Sequence, residues 1–308
     1  MQDNHLIMKD NLVLQDCVDG FLEESYAVQL NIVTNYIVGY YKVMKILITG
    51  SNGFIGSYLS KYYSEYGHHV INLHRSVCDL EDAQSVNNFF TANPCNVVIH
   101  TALWGREQVR SDNAELYTRN WQIWQNLLSN RNKFQKFINL GTGMEYDTAR
   151  DIRYADEDDA SYVQPDVPYA RVKNDISRAI LDLPNFYTLR LFGVAHYTEG
   201  NRFFNRLLNE PTFTINEDCE YDYFNLEDLP QVIDLILDDK IKHKTLNCVY
   251  EQKYKLSELA KMFCNIKMLD YKKVQVLSTG TKNYTGNNDK IASYNLPFLG
   301  IELAMLRF

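Results

Sequence analysis

The sequence predicts an α/β protein: a doubly wound parallel sheet followed by a smaller C-terminal α/β lobe. Three observations carry this. Short apolar runs alternate with longer amphipathic segments through residue 192, as βαβ crossovers require. The first run passes directly into a glycine-punctuated turn and a helix, in Met44-Lys-Ile-Leu-Ile-Thr-Gly50-Ser-Asn-Gly53-Phe-Ile-Gly56. After Gly193 the rhythm changes to shorter, mixed segments.

Each element follows from its pattern. Residues 46–48 read as a buried strand, and 57–63 as the helix after the turn. Residues 70–73 are a second strand, 81–91 a helix and 96–100 a third strand. The long helix 113–129 carries apolar Leu116, Trp121, Trp124, Leu127 and Leu128. Residues 134–140 form the fourth strand, 168–183 a helix and 186–192 a further strand. In the second lobe 201–209, 226–237 and 256–264 read as helices, and 212–215 and 220–224 as short strands. This divides the chain into 1–43, a first domain at 44–195 with later returns near 220–250, and a lobe at 196–308. Residues 1–43 carry no readable motif. An added helical arm, a partner-binding segment and a leader upstream of a start at Met44 all fit.

Composition narrows the class. A chain of 308 residues with 45% hydrophobic and 23% charged side chains has the balance of a soluble globular protein. A net charge of -8 argues against nucleic acid, which needs a basic face. The longest apolar stretch, 28–43, is broken by Gln29, Asn31 and Asn35, so no membrane span is expected. Six scattered cysteines fit reduced thiols in a cytoplasm. No His-x-x-x-His or Cys-x-x-Cys spacing suggests a metal.

The strand–turn–helix unit makes a phosphate site. Gly50, Gly53 and Gly56 let the backbone turn tightly and approach a pyrophosphate. Asn52, Phe54 and Ile55 complete the turn, and the helix N-terminus offers free N–H groups. The fold is therefore Rossmann-like, with a dinucleotide cofactor. NAD-preferring sites place an acid at the end of the second strand. Here that segment is Leu73-His74-Arg75-Ser76. Arg75 can pair with a 2′-phosphate and Ser76 can hydrogen-bond it, so NADP is favoured, with NAD possible. Asp79-Leu80 follows, where a carboxylate can accept from the adenine amino group.

Tyr169 and Lys173 lie one turn apart on a helix and share a face. A lysine ammonium near a phenol is expected to lower its pKa and make it a usable acid or base. Thr142, just past the fourth strand, can hydrogen-bond a substrate oxygen. Trp104, Gly105 and Arg106 follow the third strand at the expected cleft mouth. Arg202 and Arg206 either clamp a diphosphate or form a solvated helix face. His100 reads as a hydrogen-bonded core residue, and 221–224 as core strand with one cleft-facing member.

The chain resembles the extended short-chain dehydrogenase/reductase family, in its nucleotide-sugar epimerase, dehydratase and reductase group. The matching elements run from Met44 to Leu299. They are Gly50-x-x-Gly53-x-x-Gly56, Asp79-Leu80, His100-Thr-Ala-Leu103, Asn120, Thr142 four residues before Tyr146, and Tyr169-x-x-x-Lys173. Leu189-Arg190-Leu-Phe-Gly193 and Tyr221-Asp222-Tyr-Phe-Asn-Leu-Glu-Asp228-Leu229 follow. The resemblance implies that Thr142, Tyr169 and Lys173 are the catalytic set and that Lys173 also holds the nicotinamide ribose. It adds Thr101, Ala102, Leu103, Asn120 and Phe192 to the cofactor wall, and Gly143 beside Thr142 to the substrate wall.

Two departures matter. Family dehydratases follow the threonine with an Asp-Glu pair, whereas Gly143 and Met144 stand here, with Glu145 one place further on an extended segment. Dehydration is therefore not expected. Asp147 stands where family members carry glycine, which bears on the loop shape. The leading reading is an NADP-dependent reductase of a nucleotide-linked 4-keto sugar. The alternatives are a nucleotide-sugar epimerase with tightly bound NAD, and a non-catalytic dinucleotide sensor. A nucleotide-diphosphate sugar is the expected partner. A homodimer through the long helix and the Tyr169 helix is also expected, with Trp121 and Trp124 as candidate contacts.

Overall fold

The computed structural model describes residues 43–308. Of the expected N-terminal extension at 1–43, residues 1–42 lie outside them. In chain order the elements are β1 (Lys45–Thr49), α1 (Phe54–Glu65), β2 (His69–Leu73), α2 (Ala83–Ala92), β3 (Val97–His100), α3 (Ala114–Ser129), β4 (Lys136–Thr142), β5 (Ile152–Ala155), α4 (Pro168–Leu181), β6 (Phe186–Leu191) and β7 (Gly193–Ala195). The second half adds α5 (Phe203–Asn209), β8 (Phe213–Asp218), β9 (Tyr223–Asn225), α6 (Leu229–Leu237), β10 (Thr245–Cys248), α7 (Leu256–Ile266), β11 (Val274–Thr279), β12 (Tyr284–Gly286), α8 (Asp289–Ala292) and α9 (Gly300–Arg307).

One six-stranded sheet runs in the order β10-β6-β4-β3-β1-β2, and its pairings are all parallel. Side chains alternate across a strand, so β1 feeds two cores at once. Ile46 and Ile48 pack with Leu59 of α1 and Val232 and Ile236 of α6. Leu47 points the other way, toward Val86 of α2, Trp124 of α3 and Val172 of α4. A third core joins Phe204, Phe213, Phe263 and Met305 in the C-terminal lobe.

Several elements differ from expectation. β4 starts later than residue 134 and extends to Thr142, which is thus the last residue of the strand. The stretch 220–224 is not one strand: β9 begins at Tyr223, while Glu220 and Tyr221 make single bridges to Lys255 and Tyr284. Residues 226–228 form a short 3-10 turn ahead of α6, held by the Asn225 side chain accepting from Glu227 N. β11 escaped prediction because it is largely exposed and carries no apolar run. Trp124 is buried against the sheet, so of the two tryptophans only Trp121, packed on the edge of the same core, is part-exposed.

Candidate active site

The chain leaves β1 outward to β2, then returns to β3 on the other side of β1. At such a switch point a crevice opens beyond the C-terminal strand ends. The observed cleft there has a volume of about 1470 Å³.

Its floor is the glycine turn. Gly50 has φ +68°, and its N–H donates to Leu73 O at 2.8 Å. A Cβ on Gly56 would lie 2.3 Å from Gly50 O and 2.7 Å from Thr101 Oγ1. Only glycine lets α1 approach β1 and the β3 loop this closely. Gly53 gives α1 no side-chain cap. The N–H groups of the first turn are therefore free for an anion. Asn52, Phe54 and Ile55 share this wall.

The end of β2 forms one side. His74, Arg75, Ser76, Asp79 and Leu80 all line the cleft. His74 Nδ1 and Ser76 Oγ are 2.9 Å apart. Arg75 is exposed, its Nη2 3.7 Å from Glu81 Oε1, and Glu81 is held more closely by Arg119 Nη1 at 3.1 Å. Thr101, Ala102, Leu103, Trp104 and Arg106 form the facing side. The Arg119 guanidinium stacks over Trp104 at 4.4 Å. Asn120 is not on the wall. Its side chain accepts from Trp104 N at 2.9 Å and donates to Trp104 O at 3.1 Å, so it fixes the β3 loop from behind. His100 is a core residue as expected, its Nδ1 2.8 Å from Thr49 Oγ1 and its pKa pushed down to about 3 by burial.

Thr142, Tyr169, Lys173 and Phe192 all line the cleft. Pro168 opens α4 at its first turn, where a missing N–H costs nothing. That places Tyr169 in the first turn and Lys173 one turn deeper. Lys173 is buried and donates to Leu140 O at 2.8 Å. Burial lowers its pKa to about 8, against the pull of Glu145. The expected lowering of the Tyr169 phenol is not found. Burial raises it to about 12, against the opposing pull of the Thr142 hydroxyl and of Arg202. Desolvation dominates, and the Lys173 ammonium, turned to the Leu140 carbonyl, is not among the groups that lower the phenol.

Residues 143–146 form a 3-10 turn, not the extended segment expected. Glu145 is fully buried: Oε1 accepts from Thr142 N at 2.9 Å and Oε2 lies 2.6 Å from Arg190 Nε. Gly143 is not on the cleft wall either. A Cβ there would lie 2.3 Å from the Phe192 ring, so the glycine makes room for that ring. Asp147 adopts φ +69°, the conformation glycine favours, and holds it by accepting from Ala149 N at 3.0 Å.

The two arginines expected on one helix separate. Arg202 lines the cleft and lies over the Phe54 ring at 5.5 Å. Arg206 lies outside the cleft, paired with Glu210 at 2.8 Å; Arg202 is the extended residue ahead of α5 and not part of the helix, so the two do not share a helical face. Sequence reasoning missed Tyr284, Met144, Arg110, Arg150 and Lys282, which also line the cleft. Of 221–224, both Tyr221 and Tyr223 do so, where one was expected. Among the described residues no cluster of His, Cys, Asp and Glu could hold a metal. No described helix is long and apolar enough to cross a membrane.

Residues 46–248 match the sequence model of the NAD dependent epimerase/dehydratase family. No curated protein sequence matches the chain. Among solved structures, a dTDP-4-dehydrorhamnose reductase from Clostridium acetobutylicum is similar, with TM-score 0.66 and 22% identity over 79% of this chain and 86% of that one. So is a GDP-mannoheptose C4 reductase from Campylobacter jejuni with NADP bound, with TM-score 0.71 and 18% identity over 86% and 96%. The Bordetella bronchiseptica enzyme WbmG in complex with NAD gives TM-score 0.72 and 17% identity over 87% and 93%. At such identities the likeness establishes the fold.

Proposed function

This chain belongs to the NAD dependent epimerase/dehydratase family, and from that premise we propose that it is an NADP-dependent reductase of a nucleotide-linked 4-keto sugar. One observation carries the reading. Thr142, Tyr169 and Lys173 converge on the cleft, while the one carboxylate of the catalytic turn, Glu145, is locked onto Arg190. The site thus offers proton donors to a carbonyl oxygen and no acid–base pair for eliminating water.

The glycine floor fits a dinucleotide: a side chain at Gly56 would close the approach, and the uncapped N-terminus of α1 suits a pyrophosphate. Arg75 and Ser76 would take the 2′-phosphate, with Asp79 near the adenine. When bound, the reduced nicotinamide supplies hydride. Thr142 donates to the keto oxygen, and Tyr169, protonated because burial holds its pKa at about 12, delivers its proton to the new alkoxide. Lys173, anchored by Leu140 O, holds the ribose. Arg202 and Trp104 face the sugar-nucleotide half of the cleft. Two of the similar structures are reductases by name, and one holds NADP. Assigning 44–195 to the cofactor and 196–308 mainly to the substrate is part of the proposal. So is a reducing, cytoplasmic setting, in keeping with the free thiols of the five described cysteines. NADPH consumption with a keto-sugar nucleotide tests the reading.

A further inference from the structure

The Thr142 hydroxyl has one proton to give and two lone pairs to fill. Its Oγ1 accepts from Met144 N at 3.3 Å. On another side the Tyr284 phenol oxygen lies 3.5 Å away. Tyr169 lines the same cleft. Tyr284 comes from the far end of the chain, 142 positions later. Its backbone is pinned from both sides: its N–H donates to Glu220 O at 2.9 Å, and its carbonyl accepts from Asp222 N at 3.1 Å. Its ring meets Phe192 edge-on at 4.9 Å and lies 4.8 Å from Tyr221. The phenol is therefore held against the threonine with little freedom to turn elsewhere.

We propose that Tyr284 is a positioning residue of this site: its O–H, together with the Met144 N–H, fills the acceptor positions of Thr142 and leaves the threonine's single proton for the ligand oxygen beside Tyr169. The inference rests on the reductase reading. Burial keeps the Tyr284 phenol protonated, so its O–H is available to donate. The 3.5 Å separation is at the long end for a hydrogen bond, and contacts of this kind tighten once a site is loaded. With the reverse polarity Thr142 would spend its proton on Tyr284 and have none for the substrate. The second lobe thus completes the hydroxyl pair that the sheet begins.

The test uses the full chain with NADPH and, as probes, dTDP- and GDP-linked 4-keto-6-deoxyhexoses. Tyr284→Phe should lower kcat about tenfold, the loss of one oriented hydrogen bond, with KM and NADPH affinity within about twofold. Thr142→Val should lower kcat at least as far, and the double variant should match Thr142→Val alone, because Tyr284 acts only through the threonine. An unchanged kcat in Tyr284→Phe, or losses that multiply, overturns the proposal; multiplied losses are what a merely structural tyrosine gives. If the unmodified chain reduces no probe, the reductase reading fails, and a neutron structure still decides the bond. A deuteron on Tyr284 directed at Thr142 Oγ1 supports the inference, and one on Thr142 directed at Tyr284 refutes it.

Discussion

The Glu145 carboxylate lies 2.6 Å from the Arg190 Nε, with both side chains buried beneath the turn that carries Thr142. Arg190 also donates to Glu157 O at 3.1 Å, and Asn174 donates to Glu145 O at 3.0 Å. The pair thus ties β4, α4 and β6 together beneath the proposed reacting groups. It also explains why this turn has no free acid: the carboxylate that the sequence places there is committed to structure.

Removing one partner of a buried pair strands the other charge. Glu145→Ala should therefore destabilise the protein by about 3–5 kcal/mol, read from urea unfolding. It should also free the Thr142 N–H. A loss below about 1 kcal/mol, the range of an exposed pair, would show that Arg190 finds solvent or another acceptor.

On the proposed reading, cofactor choice turns on Arg75. Its side chain is 72% exposed, so screening holds a phosphate contact near the lower end of charge-assisted bonds, about 1.5 kcal/mol. Arg75→Ala should weaken NADP about tenfold and leave NAD unchanged, as measured by fluorescence titration. Equal losses for both would reduce Arg75 to a role in fold stability.

Glu199 supplies a pH dependence. It caps α5 by accepting from Phe204 N at 3.0 Å, yet its Oε2 is buried without a partner. Burial raises its pKa from 4.5 to about 7. Between those values the folded state holds a proton that the unfolded chain has lost, so stability falls as pH rises from 4.5 to 7, by roughly 3 kcal/mol in all. Asp222 and Asp234, raised to about 6 by burial, add to the fall below pH 6. Buried His100 and His196, lowered to about 3 and about 4, act in the opposite sense below pH 6.5, so the Glu199 contribution is read as the difference in melting temperature between the unmodified chain and Glu199→Gln. That difference, unmodified minus variant, should fall between pH 6 and 7. A variant profile parallel to the original would assign the slope elsewhere.

Assembly is a fourth prediction. Trp121 is half-buried on α3, stacked on Tyr117 at 6.2 Å, and Tyr117 bonds Asp175 of α4 at 2.9 Å. We expect a homodimer through these two helices, with Trp121 as its apolar contact. Light scattering at micromolar concentration should give twice the chain mass, and Trp121→Glu half of that. A monomer in the unmodified chain contradicts it.

Much of this architecture was legible in the chain. The β1 run, the glycine spacing and the Tyr169–Lys173 turn are local patterns, and the strands and helices around them fold where period and punctuation place them. What stayed hidden depends on distant residues. Arg206 has the same spacing logic as Arg202, but Glu210 four residues on claims it. Asn120 and Gly143 sit beside the site and serve the Trp104 loop and the Phe192 ring. Tyr284 reaches Thr142 only because β12 pairs with β5, a contact that no local spacing announces. The Tyr169 pKa was misjudged because charge is visible in a sequence and burial is not.

The central claim is tested most directly by counting NADPH. Mixed with a nucleotide-linked 4-keto sugar, the purified chain should oxidise one NADPH per sugar reduced, and Tyr169→Phe should abolish the turnover while still binding NADPH. Interconversion of two sugar nucleotides with no net change in cofactor would contradict the account and make the protein an epimerase.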